Sequence, residues 1–195
     1  MTMAVVELQN AAFTAVDFET TGSVPGWPNE PWQIGLYSFS TDPSAPGGEC
    51  FSSFLRVSRD RPFNRFAPGR HASLRDVLAE APSLADVWEE VAPRLRGRPV
   101  VAHNAGTERT LLRKAAPLDR FGPWVDTLAI ARRVLPGRAS YALEDIIPDL
   151  GLEGAVRRAA PPGTAPHDAL YDAIACGELL RHFVALGLVC CEAGS

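Results

Sequence analysis

Asp17 and Glu19 stand two residues apart in FTAVDFETTG, the apolar, β-prone stretch from Phe13 to Gly22. Successive strand side chains alternate between faces, so positions i and i+2 share a face and the two carboxylates converge on one small volume. Like charges that close repel unless something compensates them, and carboxylate oxygens suit hard divalent ions such as Mg²⁺ or Mn²⁺. The pair alone carries little weight. With 11 Asp and 12 Glu in 195 residues, Asp-x-Glu arises by chance roughly 0.7 times per chain, and an edge strand with a solvated polar face would carry it equally well. Further candidates lie downstream at strand-to-helix junctions, where ligand sites of α/β sheets gather. Glu108 follows VVAHNAGT in the first turn of a helix, and His167 and Asp172 bracket the start of the last helix with Asp168 between them.

The elements that must position these groups are legible from periodicity. QIGLYSFS (33–40) and ECFSSFLRV (49–57), split by the turn chemistry of TDPSAPGG, join the first strand in a three-stranded antiparallel meander. From Ser73 the apolar spacing becomes helical, through Leu74, Val77 and Leu78 and then Leu84, Val87, Trp88, Val91 and Leu95, with Ser83 as N-cap of the second helix. RPVVAHNA (98–105) predicts a buried strand feeding a helix over 108–115, and PWVDTLAIARRVL (123–135) a strand turning into a helix. SYALEDIIPDLGL predicts a short helix broken at Pro148, and HDALYDAIACGELLRHFVALGLV a long amphipathic one. Paired strands followed by alternating strands and helices indicate an α/β fold, a mixed central sheet flanked by helices. A single domain over 1–195, with its core at about 12–188, is expected.

Composition narrows the class. The chain is 46% hydrophobic and 22% charged, with no apolar run long enough to cross a bilayer, so no membrane partner is expected. The N-terminal residues lack a basic n-region and an apolar h-region, and the four cysteines form no C-x-x-C or zinc spacing, which predicts reduced thiols and a cytoplasmic location. A net charge of −4 argues against tight nucleic-acid binding by the bare surface. Arg56, Arg59, Arg61, Arg65, Arg70 and Arg75 nevertheless cluster against only Asp60 and Asp76. They form either a phosphate-holding patch or a by-product of codon bias, since 18 of the 19 basic residues are Arg.

DFETTG, VVAHNAGTERTLL, VDTLAIARRVLP, SYALEDI and HDALYDA occur in an order and at spacings that resemble the DnaQ-like, or DEDDh, 3′-5′ exonucleases. The similarity runs from about Phe13 to the end of the last helix, and five blocks in order are highly specific. The resemblance implies an RNase H-like fold, two divalent cations, Mg²⁺ or Mn²⁺, held by four acids, and a histidine general base. It assigns the metal ligands to Asp17, Glu19, Glu108 and Asp172 and the base to His167. The loop after Asp-x-Glu cradles the terminal nucleotide in that family, which makes Thr20, Thr21 and Gly22 candidates for gripping the 3′ end of a single strand. Asn104 is a further candidate, although His103 and Asn104 would serve equally as buttresses of their strand. Asp126 is assigned to helix capping. Some relatives are dimers, so a homodimer stays open.

Two positions depart from the family pattern. An aromatic-Asp pair normally follows HNA, and here Thr107 and Glu108 stand there. The extra methylene shifts the carboxylate by more than the roughly 0.5 Å tolerance of a well-organised site, which leaves two readings: an active exonuclease, or a catalytically weakened module that only binds nucleic acid. The second departure is Asp168. On a helix Asp168 and Asp172 share a face whereas His167 and Asp172 would lie about 140° apart, so His167 is expected on the loop just before the helix. AAPPGTAPH would then be a mobile segment that delivers it. Asp168 would either favour the protonated imidazole or serve as a helix N-terminal acid.

Overall fold

A computed structural model of the chain describes residue 8 and residues 10–67 and 71–189. Arg70, Cys190 and Cys191 lie outside the described residues. The elements follow in the order β1 (Ala12–Thr20), β2 (Pro31–Ser40), β3 (Glu49–Phe54), α1 (Arg75–Glu80), α2 (Trp88–Leu95), β4 (Val100–Ala102), α3 (Gly106–Ala115), β5 (Trp124–Asp126), α4 (Thr127–Val134), α5 (Leu143–Asp149), α6 (Glu153–Ala159) and α7 (Ala169–Ala185). The sheet order is β3-β2-β1-β4-β5. The first three strands pair antiparallel, and β1 with β4 and β4 with β5 pair parallel. This is the expected mixed sheet, meander first.

β1 sits at the centre and is buried on both faces, so its side chains sort by parity. Phe13 and Ala15 join Tyr37, Phe39, Val101 and Val125 in one apolar layer under α7. Val16 and Phe18 join Ile34, Leu36, Val100 and Ala102 in the other layer, with Leu111 and Leu112 of α3 and Val91 and Leu95 of α2. Asp17 and Glu19 continue the parity of Phe13 and Ala15 and therefore face α7. That helix is pressed unusually close to the sheet. A Cβ at Gly35, the register partner of Asp17, would lie 2.2 Å from the Ala169 carbonyl carbon, so only glycine admits the start of α7 there.

Several boundaries differ from the sequence reading. β3 ends at Phe54, yet Leu55 and Val57 remain buried, because their backbone N–H groups turn to Trp32 and Leu78 outside the ladder. Burial, not strand pairing, explains the apolar pattern there. Ser83 is not the N-cap of α2: it exchanges bonds with Asp86 (Ser83 N to Asp86 Oδ2 2.8 Å, Asp86 N to Ser83 Oγ 3.2 Å) within a turn, and α2 begins later, at Trp88, with Val87 before it and no side-chain cap. Pro148 is absorbed in the last turn of α5, and α6 follows, an element the periodicity did not reveal. α7 is not amphipathic in effect: twelve of its residues are buried, because α4, α5 and α6 pack against it on the side away from the sheet. Among the described residues no helix is long and apolar enough to cross a membrane.

Candidate active site

The four acids converge where the C-terminal end of β1 meets the first turns of α3 and α7. Glu108 enters from the first turn of α3, 4% exposed, and its Oε2 has no hydrogen-bond partner. The turn before α3 is held by Asp126, whose Oδ1 accepts from the Asn104 N–H (3.2 Å) and whose Oδ2 accepts from the Ala105 N–H (3.1 Å). The same Oδ1 accepts from Leu128 and Ala129 at the start of α4. Asp126 therefore caps one helix and aims another. His103 buttresses the turn from below, with Nδ1 2.9 Å from Thr127 Oγ1 and Nε2 2.7 Å from the Tyr141 carbonyl. Burial holds its pKa below the ordinary value.

Asp172 and His167 are positioned by the N-terminus of α7. Asp168 is the N-cap: its Oδ1 accepts from Leu170 (3.0 Å) and Tyr171 (3.4 Å). Its Oδ2 accepts from Gln33 Nε2 at 3.0 Å, and Gln33 Oε1 accepts from the Ala169 N–H at 3.3 Å. Gln33 is buried and is the register partner of Glu19, so one amide fastens the helix start to the sheet beside the acids. The helix-capping reading of Asp168 is the one realised. His167 lies before the helix, as expected, in the left-handed region (φ 65°). Its N–H donates to Asp172 Oδ2 at 3.2 Å and its Nε2 lies 3.1 Å from Glu144 Oε2. Ligand atoms from Glu19, His167 and Asp172 lie within 4.8 Å of one another.

Burial and mutual repulsion dominate the electrostatics. Asp17 is held well above the ordinary carboxylate range by burial and then by Asp172, Glu108, Glu19 and Asp168. Glu19 is pushed up to about 8 by burial, Asp172 and Asp168, and Glu108 to about 7 by burial above all. Asp172 rises to about 6, burial outweighing the opposing pull of His167. Among the described residues no arginine or lysine pairs with any of the four. Oxygen donors that repel one another, one of them orphaned, fit a hard divalent cation.

A cleft of about 320 Å³ opens over this cluster, lined by Asp17, Glu19, Thr20, Gly22, His167 and Asp172 from the sequence prediction or its flanks and by Asn64, Phe66 and Ala67, which sequence reasoning missed. Glu108, Thr21 and Asn104 do not line it. Thr21 is fully buried: its N–H donates to the Glu30 carbonyl (2.8 Å), its carbonyl accepts from Asn64 N–H (2.8 Å), and its hydroxyl accepts from Arg61 (3.0 Å). It fastens the loop rather than presenting itself. Phe66 is 78% exposed with the Arg65 guanidinium 4.5 Å from its ring centroid. Its only sequence signal was an aromatic next to Arg65.

Those arginines are largely spent inside the fold. Arg56 pairs with Asp86, Arg59 with Asp76 and Glu80, Arg61 is buried beside Glu30, and Arg75 donates to the carbonyls of Arg59 and Arg61. A larger groove, about 510 Å³, lies among Pro31, Leu55, Trp88, Leu111 and Lys114 and contains none of the four acids.

Comparison with known proteins agrees with this geometry. Residues 14–180 match the family model RNase_T, described as exonuclease. The chain is 30% identical over 182 residues to a DNA polymerase III PolC-type of Thermotoga petrophila, covering 91% of this chain and 12% of that protein. It is 28% identical to a DNA polymerase III subunit epsilon-like protein of Rhodobacter capsulatus, covering 94% of this chain and 25% of the relative. The chain thus spans only a minor part of either. The nuclease domain of 3′hExo, described as a DEDDh family member bound to rAMP, superposes with TM-score 0.68 at 13% identity, covering 97% of this chain and all of that one. With the family model spanning most of its length, the chain belongs to the exonuclease family, and its fold is the one shared with the DEDDh nuclease domain.

Proposed function

We propose that the chain removes nucleoside 5′-monophosphates from the 3′ end of single-stranded DNA or RNA, with Asp17, Glu19, Glu108 and Asp172 holding two divalent cations, Mg²⁺ or Mn²⁺, and His167 acting as general base. The observation that carries this reading is the buried, unpartnered Oε2 of Glu108 together with the mutual repulsion of Asp17, Asp172, Glu108 and Glu19, none of which pairs with an arginine or lysine among the described residues. Glu108 contributes to the repulsion that raises Asp17, which supports a place for its longer arm near the other acids. Bound there, divalent cations would lower the pKa of a water and offset the charge that builds on the scissile phosphate.

The chain's own residues supply the rest. His167 takes the proton of the attacking water as the new P–O bond forms and the bond to the 3′ oxygen breaks; that oxygen leaves with a proton from solvent. Thr20 and Gly22 border the terminal nucleotide, and Phe66 offers a face on which any base stacks. Thr21 and Arg61 hold the loop under it. The relative of this fold that is described bound to rAMP supports a nucleoside monophosphate product.

The test is 3′ trimming of end-labelled single-stranded DNA, RNA and dinucleotides with Mg²⁺ or Mn²⁺, comparing wild type with Glu108→Ala and Glu108→Asp. Wild type should shorten the strand one nucleotide at a time and Glu108→Ala should not. Binding without trimming by wild type would establish the binding-module reading instead.

A further inference from the structure

We propose that Glu144, in the first turn of α5, is a positioning residue that holds the His167 imidazole in place. The inference rests on the reading of His167 as general base.

In the loop before His167 the Thr164 N–H donates to the Pro161 carbonyl and the Asp168 N–H to the Ala165 carbonyl, both within the loop. His167 itself occupies the left-handed region, which a β-substituted residue enters at a cost, so something must hold it there. Two contacts do so from opposite sides. Its N–H donates to Asp172 Oδ2 at 3.2 Å, fixing the backbone to α7, and its Nε2 meets Glu144 Oε2 at 3.1 Å, fixing the ring to α5. Glu144 does not spend its carboxylate on the open N–H groups of its own helix, and α5 has no side-chain cap. Among the described residues the one ion-pair contact of its carboxylate is with His167.

The consequence is geometric. A carboxylate 3.1 Å from Nε2 restricts rotation of the ring, so His167 is presented to the acids in one defined orientation. Both side chains are partly exposed, 39% and 52%, and a pair of that kind adds little to folding stability. Its effect is therefore on the placement of the ring, and Glu144 can be changed without unfolding the protein.

The experiment is a double-mutant cycle on the full chain: wild type, Glu144→Ala, Glu144→Gln, His167→Ala and the double variant Glu144→Ala with His167→Ala, assayed for 3′ trimming with Mn²⁺ and for Mn²⁺ affinity by calorimetry. The expected result for Glu144→Ala is about a 10- to 100-fold loss in kcat with KM and Mn²⁺ affinity unchanged, partial rescue in Glu144→Gln, and no further loss when Glu144→Ala is added to His167→Ala. An equal loss in both backgrounds, a loss confined to KM, or no loss at all overturns the inference while leaving His167 as the base. A His167→Ala variant with wild-type kcat overturns the base assignment itself and this inference with it.

Discussion

Replacing Glu108 with glutamine should stabilise the metal-free protein while abolishing turnover, and the stabilisation should grow with pH. Burial raises the Glu108 carboxyl from 4.5 to about 7. A folded-state pKa above the unfolded one means that the native protein binds more protons between these values. Stability is then fully present below about 4.5 and is lost as pH rises through 7. The ionised form costs about 0.8 kcal/mol at pH 5 and about 3.3 kcal/mol at pH 8 relative to a side chain that does not titrate. The glutamine amide occupies the same buried space without a charge and also relieves Asp17 of one repelling neighbour. The advantage of Glu108→Gln over wild type should thus widen by about 2.5 kcal/mol from pH 5 to pH 8, roughly 5–10 °C in Tm for a chain of this size. Urea or thermal unfolding in EDTA at the two pH values reads it. Glu19 at about 8 and Asp172 at about 6 act in the same direction, so wild type itself should weaken across this range and recover when Mn²⁺ is added. An unchanged gap between pH 5 and 8, or equal Mn²⁺ stabilisation of both proteins, would refute the reasoning.

Three further substitutions separate the supports of the site. Gly35→Ala places a methyl 2.2 Å from the Ala169 carbonyl carbon and should displace the start of α7, lowering stability by about 1–3 kcal/mol or more and turnover with it; a normal melting curve would count against the close approach. Gln33→Leu removes the bonds to Asp168 and Ala169 and should cost about 1–3 kcal/mol in urea unfolding, with kcat falling more than KM rises. Phe66→Ala, at a 78% exposed position, should leave the unfolding midpoint unchanged and raise KM for oligonucleotides by roughly 5- to 100-fold, the worth of one stacked base; an unchanged KM would remove Phe66 from the substrate path.

Local rules were enough for part of the site. The alternation of a strand puts Asp17 and Glu19 on one face whatever surrounds them, and a 3.6-residue helix with Asp172 in its first turn leaves His167 ahead of it. Asp126 and Asp168 cap helices because a short acid before a helix finds free N–H groups one turn on. Partner choice across the chain followed no such rule. Gln33 and Asp168 are 135 positions apart and meet only because β2 is laid beside the start of α7. The arginine cluster left a phosphate patch and a codon-bias by-product equally open because only charge is visible in sequence, whereas the acids that neutralise Arg56 and Arg59, on α1 and the turn before α2, became their neighbours only on packing.

The sequence by itself placed Asp17, Glu19, Glu108, His167 and Asp172 at strand and helix ends through periodicity, and the resemblance of five ordered blocks grouped them as one site. Tertiary structure alone decided how they are held. The face of α7 turned to the sheet, the contact of Glu144 with His167, the burial of Thr21 and the orphaned oxygen of Glu108 all depend on interhelical packing and on a glycine-width approach at Gly35. No local pattern encodes those distances, because they are set by the combined shapes of segments far apart in the chain.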